Sequence, residues 1–323
     1  MGVFDTHSVI VGYARSKKEF DGYVQIIYNR LLALHQKYDI YNSYEGINNI
    51  KTINDNAGIA PVLVDKDIID LLIFGKQAYE DTNGAVNIAL GPVLQIWHSY
   101  RTAGLADPES AELPPLDELH AAAALTGLGG LVIDEEAGTA YLAKRGMSLD
   151  VGAIAKGMAL QLAADDAKQA GMTSALVSVG GDIVSVGGPL DGIREQWGIG
   201  VQNPGDGISQ GIFDVVFVND TAVATSGNYQ RYYTVNGKRY SHIIDPETLK
   251  PTERFAAVTA IAGDLRIAEI LSTCLFIMPV EEGKAVLAKT GGEAVWILND
   301  GEIEMTQGYQ KISKTFEGHG STG

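Results

Sequence analysis

A single cysteine, Cys274, stands in a chain of 323 residues, which excludes an intrachain disulfide framework and any zinc site built from several thiolates. Positive charge is scarce as well. Lys and Arg number 24 against 40 Asp and Glu, a formal net charge of −16. No basic stripe offsets it, so nucleic acid is excluded as a partner. No apolar run approaches the roughly 18–20 residues of a membrane-spanning helix. The opening Met1-Gly2-Val3-Phe4-Asp5-Thr6 lacks the basic segment, apolar core and cleavage site of a signal peptide, so no leader is expected within it. A leader removed beforehand is compatible with the same residues. Internal repeats and low-complexity stretches are missing. Five histidines (His7, His35, His98, His120 and His319) lie far apart, without metal-ligand spacing.

What is present is an ordinary globular composition, 46% apolar and 20% charged, long enough for one large domain or two of about 100–200 residues. Apolar residues at helical spacing (Phe20, Tyr23, Val24, Ile27, Leu31, Leu34) predict a helix over 17–38. Further helices are expected over 67–80, 116–125, 156–170, 266–278 and 280–289. Strands are expected over 7–14, 131–133, 139–142, 148–151, 175–179, 183–186, 197–202, 213–218, 222–225, 231–235, 240–244, 258–262, 294–298 and 302–305. Residues 41–56 read as a polar loop, 106–115 as a surface loop, and 317–323 as a flexible tail. Strands and helices interleave with many hairpins, Asn236-Gly237 being the strongest turn signal. That pattern gives an α+β class with mixed or antiparallel sheets flanked by helices.

Four segments carry polar groups suited to chemistry. Leu149-Asp150-Val151-Gly152-Ala153-Ile154-Ala155-Lys156-Gly157 runs into a helix start, where unpaired N–H groups and the Lys156 charge favour an anion. It is neither a Walker loop nor a Gly-x-Gly-x-x-Gly motif, and an ordinary strand-to-helix connection has the same spacing. Val179-Gly180-Gly181-Asp182-Ile183 permits close backbone approach to a ligand, or simply makes a hairpin turn. Thr225-Ser226-Gly227-Asn228-Tyr229 precedes Tyr240-Ser241-His242-Ile243-Ile244-Asp245-Pro246, where His242 lies among hydroxyls and beside Asp245 in sequence. A histidine so placed acts as a general base or sits as a satisfied structural side chain. On the helix after Ala268, Glu269 and Thr273 are four residues apart and share a face. With a main-chain carbonyl they suit a hard cation such as Mg²⁺; a first-turn acid and a buried threonine account for them equally. Cys274 reads as core beside Leu271 and Met278.

Taken together, these segments resemble the ApbE family of FAD:protein FMN transferases over nearly the whole chain. Leu149–Gly157, Val179–Ile183, Thr225–Tyr229, Tyr240–Pro246 and Ala268–Thr273 match its motifs in register, with weaker matches at Tyr44, Asn54, Gly91-Pro92 and Trp97. The resemblance implies one catalytic domain over 1–316 with a T-fold-related architecture. Two interleaved α/β subdomains would surround a central FAD cleft, with a boundary near 147. It implies a Mg²⁺-dependent reaction that cleaves FAD and attaches FMN through a phosphoester to a threonine of a target protein, releasing AMP. His242 would be the base. Ala153 (through its carbonyl), Glu269 and Thr273 would hold Mg²⁺. Tyr44, Asn54, Asp150, Lys156, Gly180, Gly181, Asp182, Ser226, Tyr229, His242 and Ile243 would bind FAD. The partners implied are FAD and an acceptor protein of the redox-chain or extracytoplasmic flavoprotein kind. The site of action would be outside the cytoplasm, as a periplasmic protein or a surface lipoprotein whose lipid anchor is absent from this chain, with the cytoplasm as the alternative.

The same residues also suit FAD hydrolysis to FMN and AMP, or FAD binding without catalysis. Four departures from the family pattern bear on that choice: Glu269 where Asp is usual, Asn87 and Asn228 where acids are common, Gln161 in place of an Asp, and Phe4-Asp5-Thr6 at the opening.

Overall fold

The computed structural model describes residues 3–4, 6–204, 211–229 and 231–316. The tail expected over 317–323 lies outside them. The chain divides into two compact units, the first made of Met1–Ala33, Lys156–Gly227 and Arg254–Gly323, the second of Leu34–Ala155 and Asn228–Glu253.

The first unit is built on a seven-stranded sheet in the order Ser8–Gly12, Ala175–Val179, Asp182–Val186, Ala222–Gly227, Phe255–Ala262, Glu293–Leu298, Ile303–Met305. Every pairing in it is antiparallel. The helix Leu265–Ile277 packs on the strands Ala222–Gly227 and Phe255–Ala262. It is apolar nearly all round, and Leu265, Ala268, Ile270, Leu271, Cys274, Leu275 and Phe276 are fully buried. Both its ends are capped by side chains: Asp264 accepts from the Arg266 N–H, and Arg254 Nε donates to the Ile277 carbonyl at 3.0 Å. A two-stranded ribbon, Trp197–Gln202 with Ile212–Val218, buries alternate residues, as a half-buried strand should.

The second unit is mainly helical, with a three-stranded sheet in the order Val62–Leu63, Thr139–Leu142, Leu131–Asp134. Its helix Gly91–Ala106 lies against the hairpin Tyr232–Val235/Lys238–Ser241. Leu90, Val93, Trp97, Leu119, Tyr233, Val235, Ile244 and Leu249 form the core there, and the Trp97 indole N–H donates to the Leu249 carbonyl at 2.9 Å. Asn236 and Gly237 both take positive φ, 50° and 80°, as the two-residue turn requires.

The class and most elements agree with the sequence reading; the differences have identifiable causes. Residues 148–151 are not a strand. Asn54 uses its side-chain amide on the Leu149 N–H (2.7 Å) and carbonyl (3.0 Å), and Asp150 N–H donates to the Ile88 carbonyl, so the ladder partners are replaced. Residues 41–56 are not all loop, because Asn49 and Thr52 make a reciprocal capping box that starts the helix Ile50–Asp55. The strand expected over 240–244 is split: Lys238–Ser241 pairs with Tyr232–Val235, the His242 N–H extends that register by one bond to the Arg231 carbonyl (3.0 Å), and Ile244–Asp245 pairs instead with Lys250–Pro251. The helix Gly91–Ala106 was not expected, although Pro92 at its start is a helix-opening signal.

Candidate functional site

In the first unit, three of the expected residues meet at the start of the helix Ala155–Gln169. Glu269 is only 5% exposed. Its Oε2 accepts from the Gly157 N–H at 2.8 Å, and its Oε1 lies 3.4 Å from Lys156 Nζ. Lys156 is also ion-paired with Asp182, which is buried where its strand begins. Burial pushes the Glu269 carboxyl upward in pKa; the Lys156 charge and the Gly157 N–H oppose it. A Cβ on residue 157 would stand 2.7 Å from Glu269 Oε2 and 3.0 Å from the Leu265 carbonyl. Glycine here is what lets the Glu269 side chain and the Leu265 carbonyl approach this closely. Gly180 and Gly181, at φ 60° and 94°, turn the chain into Asp182, and a Cβ on Gly180 would come within 2.7 Å of Thr6.

The helix Leu265–Ile277 offers oxygen ligands on one face. Ser226 Oγ and Ser272 Oγ are 3.0 Å apart, and Ser272 Oγ donates to the Glu269 carbonyl. Thr273, half-buried and one turn from Glu269, has no hydrogen-bond partner for its hydroxyl among the described residues. A mid-helix threonine usually bonds back to its own helix, so this oxygen is free for a ligand. Gln161 shows why an amide replaces an acid: its Oε1 accepts from the Leu265 N–H (2.8 Å) while its Nε2 donates to Asp165 (3.1 Å). A carboxylate could not do the second. Cys274 is buried and its thiol is pushed up to about 12 by burial, which rules it out as a nucleophile.

The second unit holds the remaining residues. His242 is half-buried, and its Nδ1 lies 3.1 Å from the Arg231 carbonyl. A carbonyl only accepts, so Nδ1 carries the proton and Nε2 keeps its lone pair. Burial, then the Arg231 and Arg101 charges, lower this imidazole to about 4, so it is neutral at physiological pH. The carboxylate next to it in sequence plays no part: Asp245 Oδ1 accepts from the Glu247 and Thr248 N–H groups and closes its own turn. Ile243 is buried and its carbonyl accepts from the Thr252 N–H. Tyr229 is half-buried in the turn after Gly227. Asp150 Oδ1 accepts from the Gly152 N–H at 2.9 Å, and burial raises its pKa; Ala153 follows in the same turn.

Tyr44 and Asn54 serve loop architecture. Tyr44 donates its hydroxyl to Asp39 at 2.7 Å, and Asn54 is committed to Leu149. Burial alone would raise Asp39, but bonds from Asn42, Tyr44 and the Tyr41 amide hold it below the usual range. Asn87, like Gln161, uses both halves of its amide, accepting from the Ala89 N–H and donating to the Thr126 carbonyl. Sequence reasoning missed Asp39, His98, Arg101 and Arg231. The only signal was charge in an unassigned position.

Among the described residues no three His, Cys, Asp or Glu side chains converge as a metal-holding group. The donors nonetheless fit Mg²⁺, which is commonly held by one or two carboxylates with the rest of its shell from water and phosphate. Glu269 supplies a carboxylate and Thr273 an unengaged hydroxyl, both hard oxygens on one helix face.

The chain resembles proteins of known kind over most of its length. It is 30% identical over 278 residues to an FAD:protein FMN transferase of Klebsiella pneumoniae, covering 85% of this chain and 83% of that one. A Treponema pallidum protein of the same name is 31% identical over 291 residues, covering 85% and 77%. The crystal structure of the ApbE protein from Thermotoga maritima superimposes with a TM-score of 0.83 at 28% identity, covering 96% of each chain. The profile of the ApbE family matches residues 5–296, and by that span, with the fold behind it, this chain belongs to the ApbE family.

Proposed function

We propose that this chain is an FAD:protein FMN transferase that uses His242 as its general base. The carrying observation is the imidazole itself, with Nδ1 fixed on the Arg231 carbonyl, Nε2 unprotonated, and the ring neutral at working pH. In the proposed step the acceptor threonine Oγ–H gives its proton to His242 Nε2, and Oγ attacks the phosphorus of the FMN half. The bond from that phosphorus to the bridging oxygen breaks, and AMP leaves with the electron pair. Lys156, held by Asp182 and Glu269, is placed to offset negative charge on the pyrophosphate. Gly180, Gly181 and Ser226 contribute backbone and a hydroxyl to FAD.

Glu269, Thr273 and the Ala153 carbonyl would hold Mg²⁺, which when bound polarises the phosphoryl oxygens and stabilises the leaving group. Support for the metal is the unengaged Thr273 hydroxyl and the all-oxygen donor set. An acceptor of the redox-chain or extracytoplasmic flavoprotein kind, and action at the cell envelope, are proposed on family resemblance.

The test is His242→Ala. Transfer to an acceptor peptide should fall by about 10²–10⁴-fold, the usual worth of a general base, while FAD titration stays close to wild type. Transfer at the wild-type rate would remove His242 from the mechanism.

A further inference from the structure

A lysine in the first turn of a helix stands at the wrong end, because the helix N-terminus carries partial positive charge and favours anions. Lys156 has that position on the helix Ala155–Gln169, whose first turn has no acid. Lys17, Lys51 and Lys66 each pair with an exposed aspartate four residues on in the same helix, where solvent screens the contact. Lys156 pairs instead with two acids supplied by other elements: Asp182, opening the strand Asp182–Val186, and Glu269, on the helix Leu265–Ile277. Those carboxylates are 5% and 6% exposed, against 25% for the lysine side chain. Two buried partners therefore keep the ammonium at an unfavourable helix end, with little water to screen it.

Both oxygens of Glu269 are engaged in this arrangement. Oε2 accepts from the Gly157 N–H at 2.8 Å, and Oε1 faces Lys156 Nζ at 3.4 Å. One turn on, the Thr273 hydroxyl has no hydrogen-bond partner among the described residues. Glu269 and Thr273 supply oxygens assigned above to Mg²⁺, whose ligand oxygens lie about 2.0–2.1 Å away. A divalent cation on Oε1 would stand no more than about 5.5 Å from the ammonium, by those two lengths end to end. Ammonium and metal thus compete for one carboxylate oxygen, and each weakens the other's hold on it.

We propose that Lys156 is a tethered counter-ion for Glu269, occupying that carboxylate while no metal is bound, so that a divalent cation enters only by driving the ammonium off Oε1. The inference rests on the reading of Glu269 and Thr273 as metal ligands, and adds the group that sets how tightly they bind. Asp182 is the tether. It keeps the displaced ammonium in the cluster, so the lysine gives up one acid without leaving the site. By linkage, what Lys156 takes from metal affinity the metal takes from the contact of Lys156 with Glu269.

The test is a titration of the nucleotide-free protein with Mn²⁺, which takes the same oxygen donors and is followed by the loss of its free EPR signal. Lys156→Gln should bind Mn²⁺ about tenfold tighter than the wild type, within the usual range of coupling between sites. Lys156→Arg keeps the charge and should stay close to the wild type. An affinity in Lys156→Gln equal to or weaker than the wild type overturns the proposal. Equal tightening in Lys156→Arg also overturns it, because loosened packing and not charge would then be the cause. If Lys156→Gln does not fold by itself, Mn²⁺ at a concentration that saturates the wild type should restore its cooperative urea transition. A chain still unfolded there overturns the proposal. Glu269→Gln tests the reading underneath: undiminished Mn²⁺ binding in that variant removes Glu269 as a ligand, and the proposal with it. Loss of binding in Glu269→Gln without tightening in Lys156→Gln removes the proposal alone. No arm uses FAD or an acceptor, so a failed transfer reaction leaves every one of these results standing.

Discussion

Lys156 stands between two buried carboxylates, Asp182 and Glu269, whereas Arg101 and Arg231 have no carboxylate partner among the described residues and help keep the ring of His242 neutral. The first arrangement is closed: each charge is answered within the protein, so the cluster holds the start of one helix against another. The second is open, and its charge is answered only from outside. The contrast separates a cluster whose charges balance among themselves from cations balanced by solvent. A paired, half-buried cation such as Lys156 fixes geometry at little net gain, because desolvation offsets attraction. An unpaired one near a base adds to the effect of burial in keeping that base neutral.

The sharpest way to break the contrast is to open the closed cluster. Lys156→Met leaves Asp182 and Glu269, both under about a tenth exposed, without their cation. Removing one partner of such a group costs about 3 kcal/mol, which a urea midpoint reads directly. A midpoint equal to the wild type would mean that solvent, not Lys156, balances these acids.

A smaller effect is expected from Gly157→Ala, whose Cβ would meet Glu269 Oε2 at 2.7 Å. Overpacking of that kind costs about 1–3 kcal/mol. Glu269→Asp in the same chain should recover part of the loss, since the shorter side chain withdraws the oxygen but leaves the Glu269 Cβ and the Leu265 carbonyl in place. A thermal midpoint for the double variant no higher than for Gly157→Ala alone would show that the extra methylene is not what requires glycine.

A further effect, confined to low pH, comes from His242. The ordinary histidine value is 6.5, and folding lowers His242 to about 4, by burial first and by the two arginines next. Between these values the unfolded chain binds the extra proton and the folded one does not. Stability from this group is therefore complete above 6.5 and lost as pH falls toward 4. In His242→Gln, urea midpoints over that range should lose part of their dependence on pH. An unchanged profile would place the imidazole in a wetter setting than its packing shows.

Much of this was legible in the sequence, and the illegible parts share a cause. The helix Lys17–Tyr38 and the strand Trp197–Gln202 follow their periodicity to the residue, because local pattern and burial agree. The helix Gly91–Ala106 hides its pattern under apolar and small residues on several faces, leaving only the Pro92 start signal. Two-residue strands such as Ile244–Asp245 carry too little pattern to register. The motifs pointed to Lys156, Asp182 and Glu269, which the structure brings together in the first unit, and to His242 in the second. The contact between Glu269 and Gly157, 112 residues apart in sequence, has no local signature. The same holds for Arg101 and Arg231, which are joined only by the packing of a helix on a hairpin. The glycine at 157 becomes informative once a carboxylate is seen against it.

The central claim is that FAD cleavage here is coupled to an acceptor hydroxyl. Its most direct test is to incubate the protein with FAD and Mg²⁺, with and without a threonine peptide, following AMP and peptide-bound FMN by mass spectrometry. The account predicts AMP and flavinylated peptide in equal amounts, with little AMP when the peptide is withheld. AMP with free FMN regardless of the peptide would make the chain a hydrolase, and FAD bound but uncleaved would make it a silent flavin binder; either result contradicts the account.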